Sequence, residues 1–311
     1  MAVFMFPGQG AQKPGMGSDL LGIPQVADAF ALASEISGVD LVKLSQSGNE
    51  DQINDAYNAQ MLAVALSVGL SHALSARGVE PETVLGFSLG QISALMAAGA
   101  LGDADGFALL DVRARAMAAA CEERPGAMAA LLGASHEDAQ AVCDDATQGD
   151  VLVCANFNSP GQVVVSGDVA AVDRAEVAWK ERGGKRSARL NTAGAFHSPL
   201  MASAADAVRA KCAQLSWHEP KVPVICNTDA QPFQVSQAAE RLSAQVVSPV
   251  HFEQSVQALV AQGATEFVEV GCGAVLCGLV RRIDKAASRT RLGAIEEWDA
   301  FTQALASKEG E

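Results

Sequence analysis

The pattern in this chain best suited to chemistry is a serine between two glycines, Gly86-Phe87-Ser88-Leu89-Gly90. An apolar run, Thr83-Val84-Leu85, precedes it, and an alanine-rich helical stretch, Ile92 to Ala98, follows. In that strand–turn–helix setting Gly-x-Ser-x-Gly reads as a nucleophile elbow, with an ordinary βα turn as the bland alternative. Such a turn forces the serine into a cramped backbone that only small neighbours tolerate. It also aims the N-terminus of the following helix at the reacting centre, where the N–H of Leu89 would stabilise an oxyanion.

A serine hydroxyl is a poor nucleophile at neutral pH and needs a base within hydrogen-bond reach. Of the five histidines, His72 falls within a helix, His136 in a helix's first turn, His218 in a polar stretch, and His251 after Ser248-Pro249-Val250. His197 stands apart, in the loop Ala193-Gly194-Ala195-Phe196-His197-Ser198-Pro199. It is the candidate base, against the alternative of a structural histidine. Arg113 is the second candidate. On a helical wheel it has Leu109, Leu110, Ala116 and Met117 around it, whereas Arg115 has Asp111 one turn behind. An unpaired guanidinium on an apolar face is costly unless an anion satisfies it, and its fork suits a carboxylate. Two readings stay open: a clamp for a substrate carboxylate, or pairing with a distant acid or snorkelling to water. The third candidate is the loop Phe6-Pro7-Gly8-Gln9-Gly10-Ala11-Gln12. Lys13 stands where a dinucleotide fingerprint needs its third glycine. The N–H of Gln9 would instead join that of Leu89 in an oxyanion hole, the alternative being a simple strand-exit turn.

These residues need elements to hold them. Strands are expected at Ala2–Phe6 and Thr83–Phe87, and helices over Gln60–Arg77, Gln91–Ala100 and Phe107–Cys121. That alternation favours an α/β layered sheet. The pattern changes after Pro125-Gly126. Ala127–Leu132 reads as a strand, and Ser135 with Asp138 as a capping box opening a helix. Val151–Ala155 and Val163–Ser166 read as strands joined by a turn over Asn156–Gly161. A helix over Val169–Arg182 and a strand at Ser187–Leu190 complete a β-α-β-β-α-β order, the split βαβ or ferredoxin-like arrangement. Strands at Pro223–Asn227 and Glu266–Val270, a helix over Ala274–Ile283 and a helix-like tail return the chain to the first pattern. The expected fold class is α/β: a large α/β-hydrolase-like domain (1–125 and 192–311) with a mostly parallel sheet, and an inserted ferredoxin-like small domain (126–191). The cleft between them is the natural ligand site.

Composition excludes several classes of function. Apolar residues make up 49% of the 311 and charged residues 19%, a balance for burial rather than disorder. A net charge of −14 argues against a general nucleic-acid binder. The N-terminus reads as no secretory signal and no stretch approaches a membrane span. The seven cysteines form no CxxC pair, which fits reduced, buried thiols and a cytoplasmic protein better than disulfides or zinc.

Taken in order along nearly the whole chain, FPGQGAQ, GFSLGQ, Arg113 in DVRARAM, GAMAALLG, NSPGQVVVSG, GAFHSPLM, SPVHF and EVGCGAVLCGL resemble the malonyl-CoA:acyl-carrier-protein transacylases of fatty-acid synthesis and the related acyltransferase domains of polyketide synthases. The resemblance implies that Ser88 is the acylated nucleophile, His197 its base, and Gln9 and Leu89 the oxyanion-hole donors. It implies that Arg113 clamps the malonyl carboxylate and that Gln60 lines the site. Phe196 resembles the malonyl-selective form of its motif, since a large ring leaves less room for an α-methyl group. A backbone carbonyl often orients the histidine in this family, and here it is expected from Val250-His251. Two positions depart: the common His-Ser-Leu-Gly-Glu is Phe87-Ser88-Leu89-Gly90-Gln91, with rate or acyl selectivity rather than activity in question.

The implied reaction is ping-pong transfer from malonyl-CoA to the phosphopantetheine thiol of an acyl carrier protein, with no metal or redox cofactor. A monomer is the working expectation. The cluster Lys180, Arg182, Lys185, Arg186 and Arg189 is a candidate carrier-docking patch, or simply a solvated helix end. The competing readings are a serine thioesterase or hydrolase on the same elbow, an acyltransferase serving a polyketide synthase or a malonate decarboxylase, and a non-catalytic carrier-binding module.

Overall fold

The computed structural model describes residues 1–192 and 194–309, so Ala193 of the expected active-site loop lies outside the described residues. Two sheets organise the chain. The first is parallel and runs β7-β2-β1-β8-β9, with β1 at Ala2–Phe6, β2 at Thr83–Gly86, β7 at Val224–Ile225, β8 at Glu266–Val270 and β9 at Ser288–Leu292. Its central strand β1 is apolar on both faces, as a parallel sheet covered by helices on each side favours: Val3, Phe4, Met5 and Phe6 are all buried. Each such side chain contributes roughly 1.5–3 kcal/mol relative to exposure.

The second sheet is antiparallel in the order β4-β5-β3-β6, with β3 at Gly126–Leu132, β4 at Leu152–Ser159, β5 at Gln162–Asp168 and β6 at Arg186–Arg189. Helices His136–Ala146 and Val169–Glu181 cover one face, giving the ferredoxin-like order. The first of these helices opens on the expected capping box: Ser135 Oγ accepts from Asp138 N at 3.0 Å, and Asp138 Oδ2 accepts from Ser135 N at 3.2 Å. Leu131, Val163, Val165, Val172 and Trp179 form a core of this small unit. The other face, with Met128, Ala130, Ala155 and Val164, packs toward Phe196 and Leu190.

Several boundaries differ from expectation. The Asn156–Gly161 segment is not all turn: β4 continues to Ser159 through two register shifts, and only Pro160-Gly161 turns. The reason is tertiary, because Phe157 N donates to Val250 O and Val250 N to Ala155 O, each at 2.9 Å, holding β4 extended against the large unit. The strand expected at Pro223–Asn227 is only Val224–Ile225, which frees Asn227 at its carboxyl end. Strand β9 lies outside the expected elements; Ser-Arg-Thr-Arg-Leu carries no apolar run because the strand is a half-exposed edge.

Candidate active site

Three neighbouring parallel strands end at the same edge of the large sheet, the edge where open α/β sheets place ligands. After β1 comes Gln9, after β2 comes Ser88, and after β7 comes Asn227. Ser88 has φ 51°, a left-handed conformation that strains any residue but glycine. The turn closes only because its flanks are glycines. A Cβ on Gly86 would meet Gln91 N at 2.2 Å, and one on Gly90 would meet Phe6 O at 2.0 Å. The second contact also presses the Gln9 loop against the elbow. Neither Gln9 N nor Leu89 N donates to a protein acceptor among the described residues.

His197 arrives from the loop after β6 and is itself at φ 59°. Its Nε2 accepts from Ser88 Oγ at 2.7 Å. Its Nδ1 faces two carbonyls, Gln245 O at 2.9 Å and Ser248 O at 3.1 Å. Carbonyls only accept, so Nδ1 carries the proton and Nε2 is left as the base. Burial, and then the nearby Arg113 cation, push the His197 imidazole down to about 4. It is therefore neutral at physiological pH.

The orienting carbonyls correct one expectation: they come from Gln245 and Ser248, not from Val250-His251. Val250 is committed to β4 through both its N–H and its C=O. The N–H of His251 donates to Asn227 O at 2.8 Å and its C=O accepts from Ser255, while its ring stacks on Phe157 with centroids 5.2 Å apart. Those peptide groups are already satisfied, so the helix end at Ala238–Val247 supplies the acceptors instead.

Arg113 and Arg115 sit two residues apart on helix Asp103–Glu123 but in opposite environments. Arg115 pairs with Asp111 at 2.9 Å and lies over the Tyr57 ring. Arg113 is buried, with 4% exposure, and makes no ion pair with a carboxylate among the described residues. Neither pairing with a distant acid nor snorkelling accounts for it. Its Nη1 donates to Gln60 Oε1 at 2.6 Å, its Nη2 approaches Ser88 Oγ at 3.5 Å, and its Nε has no partner. Burial lowers the guanidinium to about 10, which leaves it cationic at neutral pH. Gln60 is itself buried on the apolar helix Ala56–Ser75, which begins four residues earlier than expected because Asp55 caps it.

Most of these groups line one cavity of about 340 Å³; Gln60, expected to line the site, is not among its lining residues and meets it through Arg113. Gln9, Ser88, Leu89, Arg113, Phe196 and His197 all face it, together with Asn156 and Met128 from the small sheet. Phe196 is held there by its carbonyl, which accepts from Ser166 Oγ at 2.8 Å. Phe87 also lines the cavity and packs edge-to-face on Phe252 at 5.5 Å, and Gln91 Oε1 accepts from Asn227 N at 3.2 Å. The arrangement places a serine hydroxyl on a neutral imidazole, beside two N–H groups without an acceptor among the described residues and a buried cation, a set of groups capable of serine acyl-transfer chemistry.

The chain belongs to the family of acyl transferase domains, whose model matches residues 3–297. It is 38% identical over 283 residues to the malonyl CoA-acyl carrier protein transacylase of Escherichia coli strain K12, covering 90% of this chain and 92% of that one. The crystal structure of the malonyl-CoA:acyl carrier protein transacylase of Xanthomonas oryzae pv. oryzae superposes with a TM-score of 0.93 at 42% identity, covering 97% of this chain and 98% of the other. A malonyl-transacylase solved in complex with its type II polyketide-synthase acyl-carrier protein gives 0.92 at 34% identity, covering 95% and 97%.

Outside the cavity, Arg182 pairs with Asp145, and Arg189 with Asp173 and Glu176. Lys180, Lys185 and Arg186 make no ion pair among the described residues. The described cysteines are all free and buried, no group of His, Cys, Asp and Glu among the described residues is arranged to hold a metal, and no described helix is long and apolar enough to cross a membrane.

Proposed function

We propose that this protein transfers a malonyl group from malonyl-CoA to the phosphopantetheine thiol of an acyl carrier protein, through a malonyl-serine intermediate, in support of fatty-acid synthesis. The observation that carries the choice of acyl group is Arg113, a buried cation with no carboxylate partner among the described residues, 3.5 Å from the nucleophile. A buried guanidinium is tolerable where an anion meets it, and a free malonyl carboxylate supplies one. In this reading Gln60 fixes the fork, and Phe196 narrows the space beside the acyl α-carbon.

His197 Nε2 takes the Ser88 proton as Oγ attacks the thioester carbonyl. The N–H groups of Gln9 and Leu89 receive the oxyanion, each worth on the order of 10²-fold in rate. The tetrahedral intermediate collapses, and His197 returns the proton to the departing CoA thiolate. The carrier thiol then gives its proton to His197 and attacks the malonyl-serine; as the ester bond to Ser88 Oγ breaks, His197 passes that proton to Oγ and the hydroxyl is restored. Only the protein's own side chains and backbone take part, and the reaction proceeds in the cytoplasm. The division into domains at 125/126 and 191/192 belongs to the same proposal: the ferredoxin-like unit forms one wall of the cleft and the parallel sheet's edge forms the reacting end. Within the basic cluster, Lys180, Lys185 and Arg186 are the cations without an ion pair among the described residues, and in this reading they meet an acidic carrier.

Product analysis tests the reading. With malonyl-CoA and a holo carrier the expected product is malonyl-carrier, and without carrier the expected product is a stable malonyl-enzyme. Rapid release of free malonate in the absence of carrier would identify a hydrolase instead.

A further inference from the structure

The nucleophile's strained backbone is held by side chains that the mechanism above does not use. Strand β7 pairs with β2 only through Val224 and Ile225, so it offers no backbone partner to Gly86 O or Ser88 N. The carboxamide of Asn227 takes both. Its Oδ1 accepts from Ser88 N at 2.5 Å, and its Nδ2 donates to Gly86 O. A planar amide presents one acceptor and one donor side by side, which is what a turn with one N–H and one C=O on the same side requires. Asn227 is 1% exposed, so leaving either backbone group unpaired would incur its desolvation cost.

The amide is fixed in turn. Gln245 Nε2 donates to Asn227 Oδ1 at 3.2 Å and to Ser88 O at 3.3 Å. The backbone carbonyl of the same Gln245 holds His197 Nδ1. The backbone of Asn227 is anchored by Gln91 Oε1 and by His251 N. Nucleophile and base are thus referenced to one neutral amide network.

Building on the acyl-transfer reading above, we propose that Asn227 is a positioning residue for the reaction, and that Gln245 couples it to the base. Together they hold Ser88 in its left-handed conformation so that Oγ meets His197 Nε2 and the Leu89 N–H faces the oxyanion. A misplacement of the reacting atoms on the order of 1 Å is enough to lower a rate about 10²-fold.

The test is the rate of malonyl-serine formation from malonyl-CoA, with a melting curve for each variant. Asn227→Ala should lower the acylation rate about 10²-fold with KM for malonyl-CoA unchanged, because Arg113 and Gln60 are untouched. Gln245→Ala keeps the carbonyl that orients His197 and should cost about tenfold, and it decides the matter if Asn227→Ala does not fold. Asn227→Asp supplies a readout that a merely structural role would not move. Protonated, its carboxyl reproduces both bonds; ionised, it loses the donor to Gly86 O. Burial raises such a carboxyl, and Arg241, which shares the small cavity beside Asn227 and pairs with Asp229, opposes that rise; at Cys226 in the same cavity burial outweighs the same cation and pushes the thiol up to about 11. The ratio of Asn227→Asp to wild-type activity should therefore rise as pH falls. A pH-independent ratio, or wild-type acylation rates in folded Asn227→Ala and Gln245→Ala, would overturn the assignment. Failure of the wild-type protein itself to form malonyl-serine would instead sink the functional reading on which the assignment rests.

Discussion

The two sheets bury apolar surface by different rules, and the difference decides which one carries the chemistry. The parallel sheet sends consecutive strands out at the same edge, so β1, β2 and β7 deliver Gln9, Ser88 and Asn227 side by side although they are far apart in the chain. Two residues of that neighbourhood, Ser88 and His197, sit at positive φ. The antiparallel sheet turns back at each end and gathers no such edge. It closes its own core on one face and offers the other, rich in small residues such as Ala130 and Ala155, as a wall. Of the four non-glycine residues at positive φ among the described residues, only Ser88 and His197 meet each other, while Gln148 and Ala230 lie in separate turns.

The largest effect is expected from a substitution at the edge that carries Ser88. Ser88→Ala should abolish the acyl-enzyme, with a loss in turnover on the order of 10⁶-fold measured by steady-state transfer to carrier. A substantial residual adduct would place the nucleophile elsewhere. Next in size is the pH profile of acylation. A base held down to about 4 is neutral above that value, so the rate should be flat through neutrality and fall as pH drops through about 4. The same shift works on stability, because the unfolded histidine binds its proton more readily than the buried one. The contribution of His197 to stability should decline as pH falls from the ordinary imidazole value to about 4 and level off below it. An acylation limb near pH 6.5 instead would mean an imidazole exposed to water.

The elbow and the buried arginine were legible in the sequence because their signals are local. Two glycines flanking Ser88 and a helical wheel that separates Arg113 from Arg115 need no tertiary knowledge. The ferredoxin-like unit was legible for the same reason, through its strand and helix order and the Ser135 cap. The groups that orient the base were not. A carbonyl of Gln245 or Ser248 has no side-chain signature, and the peptide groups of Val250 and His251 turned out to be spent on β4, Asn227 and Ser255. Asn227 becomes meaningful only once β7 is known to lie beside β2, a neighbour relation between distant segments. Its position just past an apolar strand was the one hint available.

Substitutions in the wall and in the small unit behind it should have smaller effects. Phe196→Ala should raise the rate with methylmalonyl-CoA relative to malonyl-CoA by about tenfold, the range one methyl group commands in a pocket. An unchanged ratio would remove Phe196 from selectivity. Leu131→Ala, in the closed core of the small unit, should cost about 2–5 kcal/mol of stability in denaturant unfolding while leaving acylation at 25 °C near wild type. If that substitution slowed acylation as strongly as it lowered stability, the small sheet would be part of the chemical machinery and not its wall.

In the proposed reaction a serine, a neutral histidine and a buried arginine act on one acyl group that carries its own charge. Intact-mass measurement of the acyl-enzyme formed in a mixture of malonyl-CoA and acetyl-CoA, for the wild type and for Arg113→Ala, tests it most directly. The wild type should carry malonyl almost alone, and the variant should lose about 10²-fold of that preference and accept acetyl. An adduct distribution unchanged by removal of the guanidinium would contradict the account.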